Sequence, residues 1–153
     1  MPDCFIVELH LRRLAPKVLV VDDDPESRNL LSEFLAANGY AVETVGDGAA
    51  ARAELGRVED YQVIVADLRM PNESGLDLLR KLYVQKSKCA IILMSSFISQ
   101  DEKKEAQALG AHALLEKPFR LTDLLQKVEE VAPRKPIKIS PEEQAVSPAG
   151  SNT

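Results

Sequence analysis

The stretch Val63-Ile64-Val65-Ala66-Asp67-Leu68-Arg69-Met70-Pro71 decides the fold. Four apolar residues in succession make a strand buried on both faces, and such runs belong to parallel sheets covered by helices. Asp67 stops the run. Pro71 has no amide proton to give a ladder, so the strand ends near that carboxylate. An aspartate at the carboxyl end of a buried strand stands where open α/β sheets bind their ligands. Taken alone, Asp67 also suits a turn cap.

Working upstream, Lys17 to Val21 is a second apolar run, and it too ends in carboxylates: Asp22, Asp23 and Asp24 precede Pro25. Asp24 suits a helix N-cap and Pro25 the first helical position. Leu30, Leu31, Phe34 and Leu35 recur at helical spacing until Asn38-Gly39 closes the helix. Tyr40 to Val45 reads as a strand, and Asp47-Gly48 opens an alanine-rich helix from Ala49 to about Arg57. Downstream of Asp67, Ser74 caps a helix carrying Leu76, Leu78, Leu79 and Leu82, and Ala90 to Met94 is another apolar strand. Ser99 and Glu102 form a capping-box pattern for a helix that Gly110 ends. Ala113 to Leu115 is a short strand, and Leu121, Leu124, Leu125 and Val128 mark a last amphipathic helix. Five strands alternating with five helices predict an α/β fold: a parallel sheet with helices on both faces.

The flanks differ from this core. Residues 1–15 combine apolar positions with Arg12-Arg13 and read as an extension. Residues 16–132 carry the alternating pattern. Residues 133–153, with Pro133, Pro136, Pro141 and Pro148 among Glu, Ser and Gly, hold too little apolar surface to fold and read as a disordered tail. A net charge of −5 argues against a broad nucleic-acid face. No apolar stretch approaches the about 18 residues needed to span a bilayer. Met1 to His10 lacks a basic leader with a small-residue cleavage site. Cys4 and Cys89 have no metal-type spacing, and Cys89, heading an apolar run, reads as buried filler. The cytoplasm is the expected compartment.

The strand ends carry the chemistry. In a parallel sheet the carboxyl ends of strands share one edge, so Asp22, Asp23 and Asp67 are brought together if their strands are neighbours. Three carboxylates so close repel one another, and a hard divalent cation relieves this; an all-oxygen donor set completed by water suits Mg2+. Ser95 adds a hydroxyl and Lys117 an ammonium at the same edge. Together they form an anion-handling site around a nucleophilic aspartate. Each residue has a plainer reading: Asp22 and Asp24 as turn caps, Ser95 as a satisfied strand end, Lys117 as a solvated charge. Polar groups at four strand ends of one edge favour the site.

These residues resemble the receiver domain of response regulators in two-component signalling. The resemblance runs over about residues 16–132 and rests on VVDDD at 20–24, Asp67 with Met70-Pro71, Gly75, Ser95, and Lys117-Pro118-Phe119. The spacing agrees too: 44 residues from Asp23 to Asp67 and 22 from Ser95 to Lys117. The resemblance implies a doubly wound, flavodoxin-like sheet with strand order 2-1-3-4-5. It implies that Asp67 accepts a phosphoryl group from a histidine kinase or phosphotransfer protein. Asp23, Asp67 and the backbone carbonyl of Arg69 are then Mg2+ ligands, with Asp22 acting through water or assisting. Lys117 contacts the phosphoryl group, or Asp67 when none is present, and Ser95 swings to report it. The Lys117-Pro118 bond is expected to be cis. Such a domain catalyses its own phosphorylation and dephosphorylation, is otherwise no enzyme, and works through a downstream protein. Its expected working surface is the helix before the fifth strand, that strand, and the last helix.

Two departures from the family stand out. The aromatic often found three residues before the lysine is replaced by Leu114, so switching is expected to rest on Ser95 and on loop and helix shifts, or to be weaker, with Phe97 as a nearby aromatic to share the task. Arg69 and Phe97 flank the route to the phosphoryl group. The usual proline ahead of the fourth strand is Ala90. Two competing readings exist. An aspartyl-nucleophile phosphohydrolase of the haloacid-dehalogenase type carries a general-acid aspartate where this chain has Arg69. An interaction scaffold would have no use for the full acidic constellation. No output module follows the last helix, so the chain is either a stand-alone regulator or part of something larger.

Overall fold

The computed structural model describes residues 15–47, 50, 51, 53, 61–71 and 73–134. The elements are β1 (Lys17–Val21), α1 (Pro25–Ala37), β2 (Ala41–Val45), β3 (Val63–Asp67), α2 (Gly75–Val84), β4 (Ala90–Ser95), α3 (Gln100–Ala108), β5 (Ala113–Glu116) and α4 (Leu121–Val131). The alanine-rich helix expected after β2 falls mostly outside the described residues; Ala50, Ala51 and Ala53 are helical. The extension and the tail lie outside them too, apart from Ala15, Pro133 and Arg134.

All strand pairs are parallel, in the order β2-β1-β3-β4-β5. This is the doubly wound, flavodoxin-like sheet that the alternating pattern and the resemblance imply. Strand alternation splits the core in two. Val18 and Val20 of β1, Val63 and Val65 of β3, and Ile92 and Met94 of β4 face a cluster with Leu31 and Leu35 of α1 and Leu124 and Val128 of α4. Leu19, Val21, Ile64, Ala66, Ile91 and Leu93 face the other way, against Leu76, Leu78, Leu79 and Leu82 of α2 and Ala106 of α3. β3 is buried along its whole length. Each fully buried Leu or Ile contributes about 1.5–3 kcal/mol, so the central strands anchor the domain.

The helix ends follow their signals. Asp24 accepts the Glu26 amide at 3.2 Å, with Pro25 at the first helical position. α2 and α3 both start in closed capping boxes, Ser74 with Asp77 and Ser99 with Glu102. Gly39 and Gly110 take φ of +97° and +86° just after α1 and α3, the left-handed turn glycine permits. Two expectations shift. Leu30 is 54% exposed, so the buried stripe of α1 narrows to Leu31 and Leu35, with Phe34 beside it. Tyr40 precedes β2 and is buried, donating its hydroxyl to Ala132 O at 2.9 Å. That bond ties the start of β2 to the end of α4. Cys89 is partly buried against the α2–α3 side of the core. No helix among the described residues is long and apolar enough to cross a membrane.

Candidate functional site

Strand register assembles the site. β1 and β3 are neighbours with Val21 opposite Ala66, so Asp22 and Asp67 follow in adjacent positions at one edge. Lys117 directly follows β5, and its amide donates to Ser95 O at 2.8 Å across the end of β4. Ser95 is the last residue of β4 rather than the one after it. The five side chains expected at this edge all belong to it.

Asp67 is 7% exposed, and both of its oxygens are engaged. Oδ1 accepts the Arg69 amide and Oδ2 the Lys117 ammonium, each at 2.9 Å. Burial alone would lower the Lys117 pKa, but the bond to Asp67 and the charges of Asp67, Asp22 and Asp23 outweigh it and raise the ammonium above its ordinary value. Asp22 is fully buried; its Oδ1 caps the turn by accepting the Asp24 amide at 3.0 Å. The cap reading of Asp22 therefore accounts for one oxygen only. Its Oδ2 is buried with no hydrogen-bond partner, and Lys117 Nζ stays 3.7 Å away. An unsatisfied buried carboxylate oxygen is costly. Asp22, Asp23 and Asp67 each offer an oxygen, all within 4.8 Å of one another, and could hold a metal ion. With Asp23 exposed to solvent, this donor set fits a small hard cation that keeps some of its water.

The loop after β4 lies beside this cluster. Ser95 Oγ donates to Phe97 O at 2.7 Å and accepts the Phe97 amide at 3.2 Å. Arg69 Nη2 reaches Phe97 O at 3.3 Å and Glu102 Oε1 at 2.7 Å. The Ser99 backbone amide holds the Glu102 carboxyl below the usual range, with Arg69 adding to the effect and partial burial opposing it. The Phe97 side chain is 65% exposed, whereas Leu114 in β5 is partly buried against the α2–α3 side of the core.

Gly75 explains its own presence in the motif. A Cβ there would meet Asp67 O and Leu93 Cδ2, each at 2.8 Å. Only glycine lets α2 start this close to the end of β3. The Lys117–Pro118 bond is cis.

Sequence reading missed two residues around the site, Arg28 and Glu73, and one contact of a third, Glu102. Arg28 donates from Nη1 to Asp22 O at 2.9 Å, holding the backbone of the acidic turn. Glu73, buried in the loop before α2, pairs with Lys81 at 2.5 Å. Glu102 reaches Arg69 as well as capping α3. The capping-box pattern was the only sequence signal for Glu102; the others depend on where long side chains travel in the folded chain.

The response regulator receiver domain family matches residues 18–129. Protein PetR of Rhodobacter capsulatus is 38% identical over 121 residues, which cover 79% of this chain and 50% of PetR. The cell cycle transcriptional regulator CtrA of Caulobacter vibrioides is 31% identical over 118 residues, 77% of this chain and 51% of CtrA. The chain thus spans about half the length of these curated relatives. Among solved structures, the chemotaxis protein CheY4 of Vibrio cholerae superposes with a TM-score of 0.69 at 33% identity, covering 76% of this chain and 98% of that one. A response regulator receiver protein from Pseudomonas putida gives a TM-score of 0.71 at 32% identity, covering 76% and 97%. With a fold, a sheet edge and a family match in agreement, the chain belongs to the response regulator receiver domain family.

Proposed function

We propose that this chain is a phosphorylatable receiver that takes a phosphoryl group onto Asp67 from a phosphohistidine of a histidine kinase or phosphotransfer protein. The observation that carries this is the pairing of Asp67 with Lys117 beside the buried, half-satisfied carboxylate of Asp22. Asp22, Asp23 and Asp67 would hold Mg2+, with the Arg69 carbonyl as a further ligand. Mg2+ bound there supplies positive charge that offsets charge building on the transferred group.

The protein's own residues do the rest. A carboxylate oxygen of Asp67 forms the new O–P bond as the N–P bond of the donor breaks, and the freed imidazole keeps the electron pair. Lys117, already at Asp67 Oδ2, moves its hydrogen bond to a phosphoryl oxygen. Ser95 Oγ, bonded here to Phe97 O, turns to another. Attack by water later releases inorganic phosphate and restores the carboxylate, so the signal is temporary. The chain acts on itself and turns over no outside ester. Arg69 bears on the phosphohydrolase reading: its guanidinium is occupied by Glu102 and Phe97 O and offers no acid for a leaving group.

The output is a protein surface on α3, β5 and α4, read by a downstream partner, by likeness to the family. The working unit is residues 16–132, in the cytoplasm, with 1–15 as an extension and 133–153 as a tail. Arg134, at the start of that tail, bonds Asn38 O at 2.6 Å and lies over the Tyr40 ring. Regulation of transcription, named for CtrA, is not carried over, because about half of CtrA lies beyond the match.

Acetyl phosphate with Mg2+ should add a single phosphoryl group, seen by intact mass, and Asp67→Asn should abolish it. Labelling that persists in Asp67→Asn would rule out the assignment.

A further inference from the structure

Building on Asp67 as phosphoacceptor, we propose that Arg69 and Glu102 form a latch on residues 96–99. It holds the unphosphorylated arrangement, and the phosphoryl group opens it by drawing Arg69 away from Glu102. Arg69 is then a positioning residue that acts through Phe97 on Ser95.

The latch is a chain of four hydrogen bonds. Ser95 Oγ donates to Phe97 O at 2.7 Å, so the hydroxyl that would report phosphorylation is committed elsewhere. The same carbonyl accepts Arg69 Nη2 at 3.3 Å, and that nitrogen is also 2.7 Å from Glu102 Oε1. Glu102 Oε1 accepts the Ser99 amide at 3.1 Å, closing the path at the start of α3. The ends of β3 and β4 and the start of α3 are thus joined through one guanidinium. α3 does not need Arg69 for its cap, because Ser99 and Glu102 already satisfy each other. The contact of Arg69 with Glu102 is additional.

Arg69 is placed to respond to charge on Asp67. It lies two residues along the chain, and its amide is already bonded to Asp67 Oδ1 at 2.9 Å. Its side chain is half exposed, on a long stem with several rotatable bonds. A phosphoryl group brings nearly two negative charges and three acceptor oxygens, against one charge on Glu102. The planar fork of arginine suits phosphate. When Arg69 turns to the phosphoryl group and Ser95 does the same, Phe97 O loses both of these donors together. The loop carrying the exposed Phe97 ring is then released. By reciprocity, whatever the Arg69–Glu102 contact contributes to the resting state is subtracted from phosphoryl affinity. This gives a route for switching in a chain with leucine at 114.

Glu102→Gln separates the latch from the cap, because it keeps an acceptor for the Ser99 amide and removes the charge that holds Arg69. The probe is beryllofluoride with Mg2+, titrated into the full chain. Half-saturation should fall about two- to fivefold in Glu102→Gln, the equilibrium equivalent of one exposed ion pair. In an Arg69→Met background the same substitution should have no effect, since the partner it frees is gone. A second readout needs neither metal nor anion. In the unphosphorylated protein, amide exchange at Phe97, Ile98 and Ser99 should quicken in Glu102→Gln, while Ala106 to Leu109 at the far end of α3 stay as in wild type.

Unchanged exchange in Glu102→Gln would overturn the latch itself. Unchanged half-saturation, or an equal shift with and without Arg69, would overturn its opening by the phosphoryl group. A wild-type chain that binds no beryllofluoride would instead overturn the phosphoacceptor reading, and the opening step with it, leaving the exchange result to decide the resting contact.

Discussion

Lys117 and Asp67 share a 2.9 Å hydrogen bond although their strands are not neighbours. β4 lies between β3 and β5, so the lysine reaches across the end of β4 to the acidic cluster. It meets Asp67 at bonding distance and Asp22 Oδ2 at 3.7 Å, one cation serving two buried carboxylates. Lys117 thus offsets part of the negative charge gathered at this edge.

Lys117→Met tests that role, because it keeps most of the stem and removes the ammonium. In EDTA the variant should lose about 1–3 kcal/mol of stability, the cost of a buried acceptor without its donor. The loss should shrink in about 10 mM Mg2+, where a bound cation replaces the missing charge. Thermal melts with and without Mg2+ measure it. An equal loss under both conditions would mean that Lys117 contributes by packing alone.

Gly75→Ala should be destabilising by about 1–3 kcal/mol, as overpacking usually is. The added methyl meets Asp67 O and Leu93 Cδ2 at 2.8 Å, and neither a strand backbone nor a core leucine yields easily. Because one of those atoms belongs to Asp67, beryllofluoride binding should weaken as well. Urea titration and anion titration report the two effects separately. Wild-type stability in the variant would show that α2 can slide away from β3 without penalty.

Legibility in the sequence followed the kind of interaction. β1, β3 and β4 were readable because strands buried on both faces must be apolar throughout, and their carboxyl ends showed as abrupt Asp or Ser residues. The convergence of Asp22, Asp23 and Asp67 followed from parallel strands sharing one edge together with the strand order that the family resemblance implies. Capping boxes were readable because they are local, three residues apart. Long side chains were not. Nothing near Arg69 in sequence points to Glu102, 33 positions on, nor near Tyr40 to Ala132. Leu30 kept helical spacing yet faces solvent, because apolar periodicity gives the stripe but not its width.

Asp77 provides a pH test of the α2 cap. The Ser74 backbone amide, opposed by partial burial and helped by the Ser74 hydroxyl and Arg80, lowers the Asp77 pKa below 3.8. A depressed carboxyl pKa stabilises the fold fully above the unfolded value, and that contribution is lost as pH falls through the folded one. Asp77→Asn should therefore be less stable than wild type at pH 7, by about 0.5–1 kcal/mol. The gap should close as pH drops below about 4. Urea midpoints from pH 7 to pH 3 follow it. A gap that is constant with pH would assign the loss to hydrogen-bond geometry instead of charge.

The acidic cluster yields a signed expectation for Mg2+. Asp22, Asp23 and Asp67 converge within 4.8 Å, with Lys117 the cation bonded to Asp67. The unfolded chain holds these carboxylates apart, so repulsion among them opposes folding, and Mg2+ binding to the folded arrangement stabilises it by mass action. For a dissociation constant of about 1 mM, about 10 mM Mg2+ contributes roughly 1.4 kcal/mol. In a domain of this size that is a rise of about 3–6 °C in melting temperature. Asp23→Asn removes a ligand and a repelling charge together, and Asp23 is exposed, so little packing is disturbed. Without metal this variant should melt at or above wild type, yet gain little when Mg2+ is added. Asp22→Asn should lose the Mg2+ response in weaker form, but its starting stability has a second contribution: the side chain is fully buried and its Oδ1 caps the Asp24 amide. Sodium chloride at matched ionic strength separates specific binding from screening. A full Mg2+-specific rise in Asp23→Asn, or none in wild type, would show that the cation does not sit among these three carboxylates.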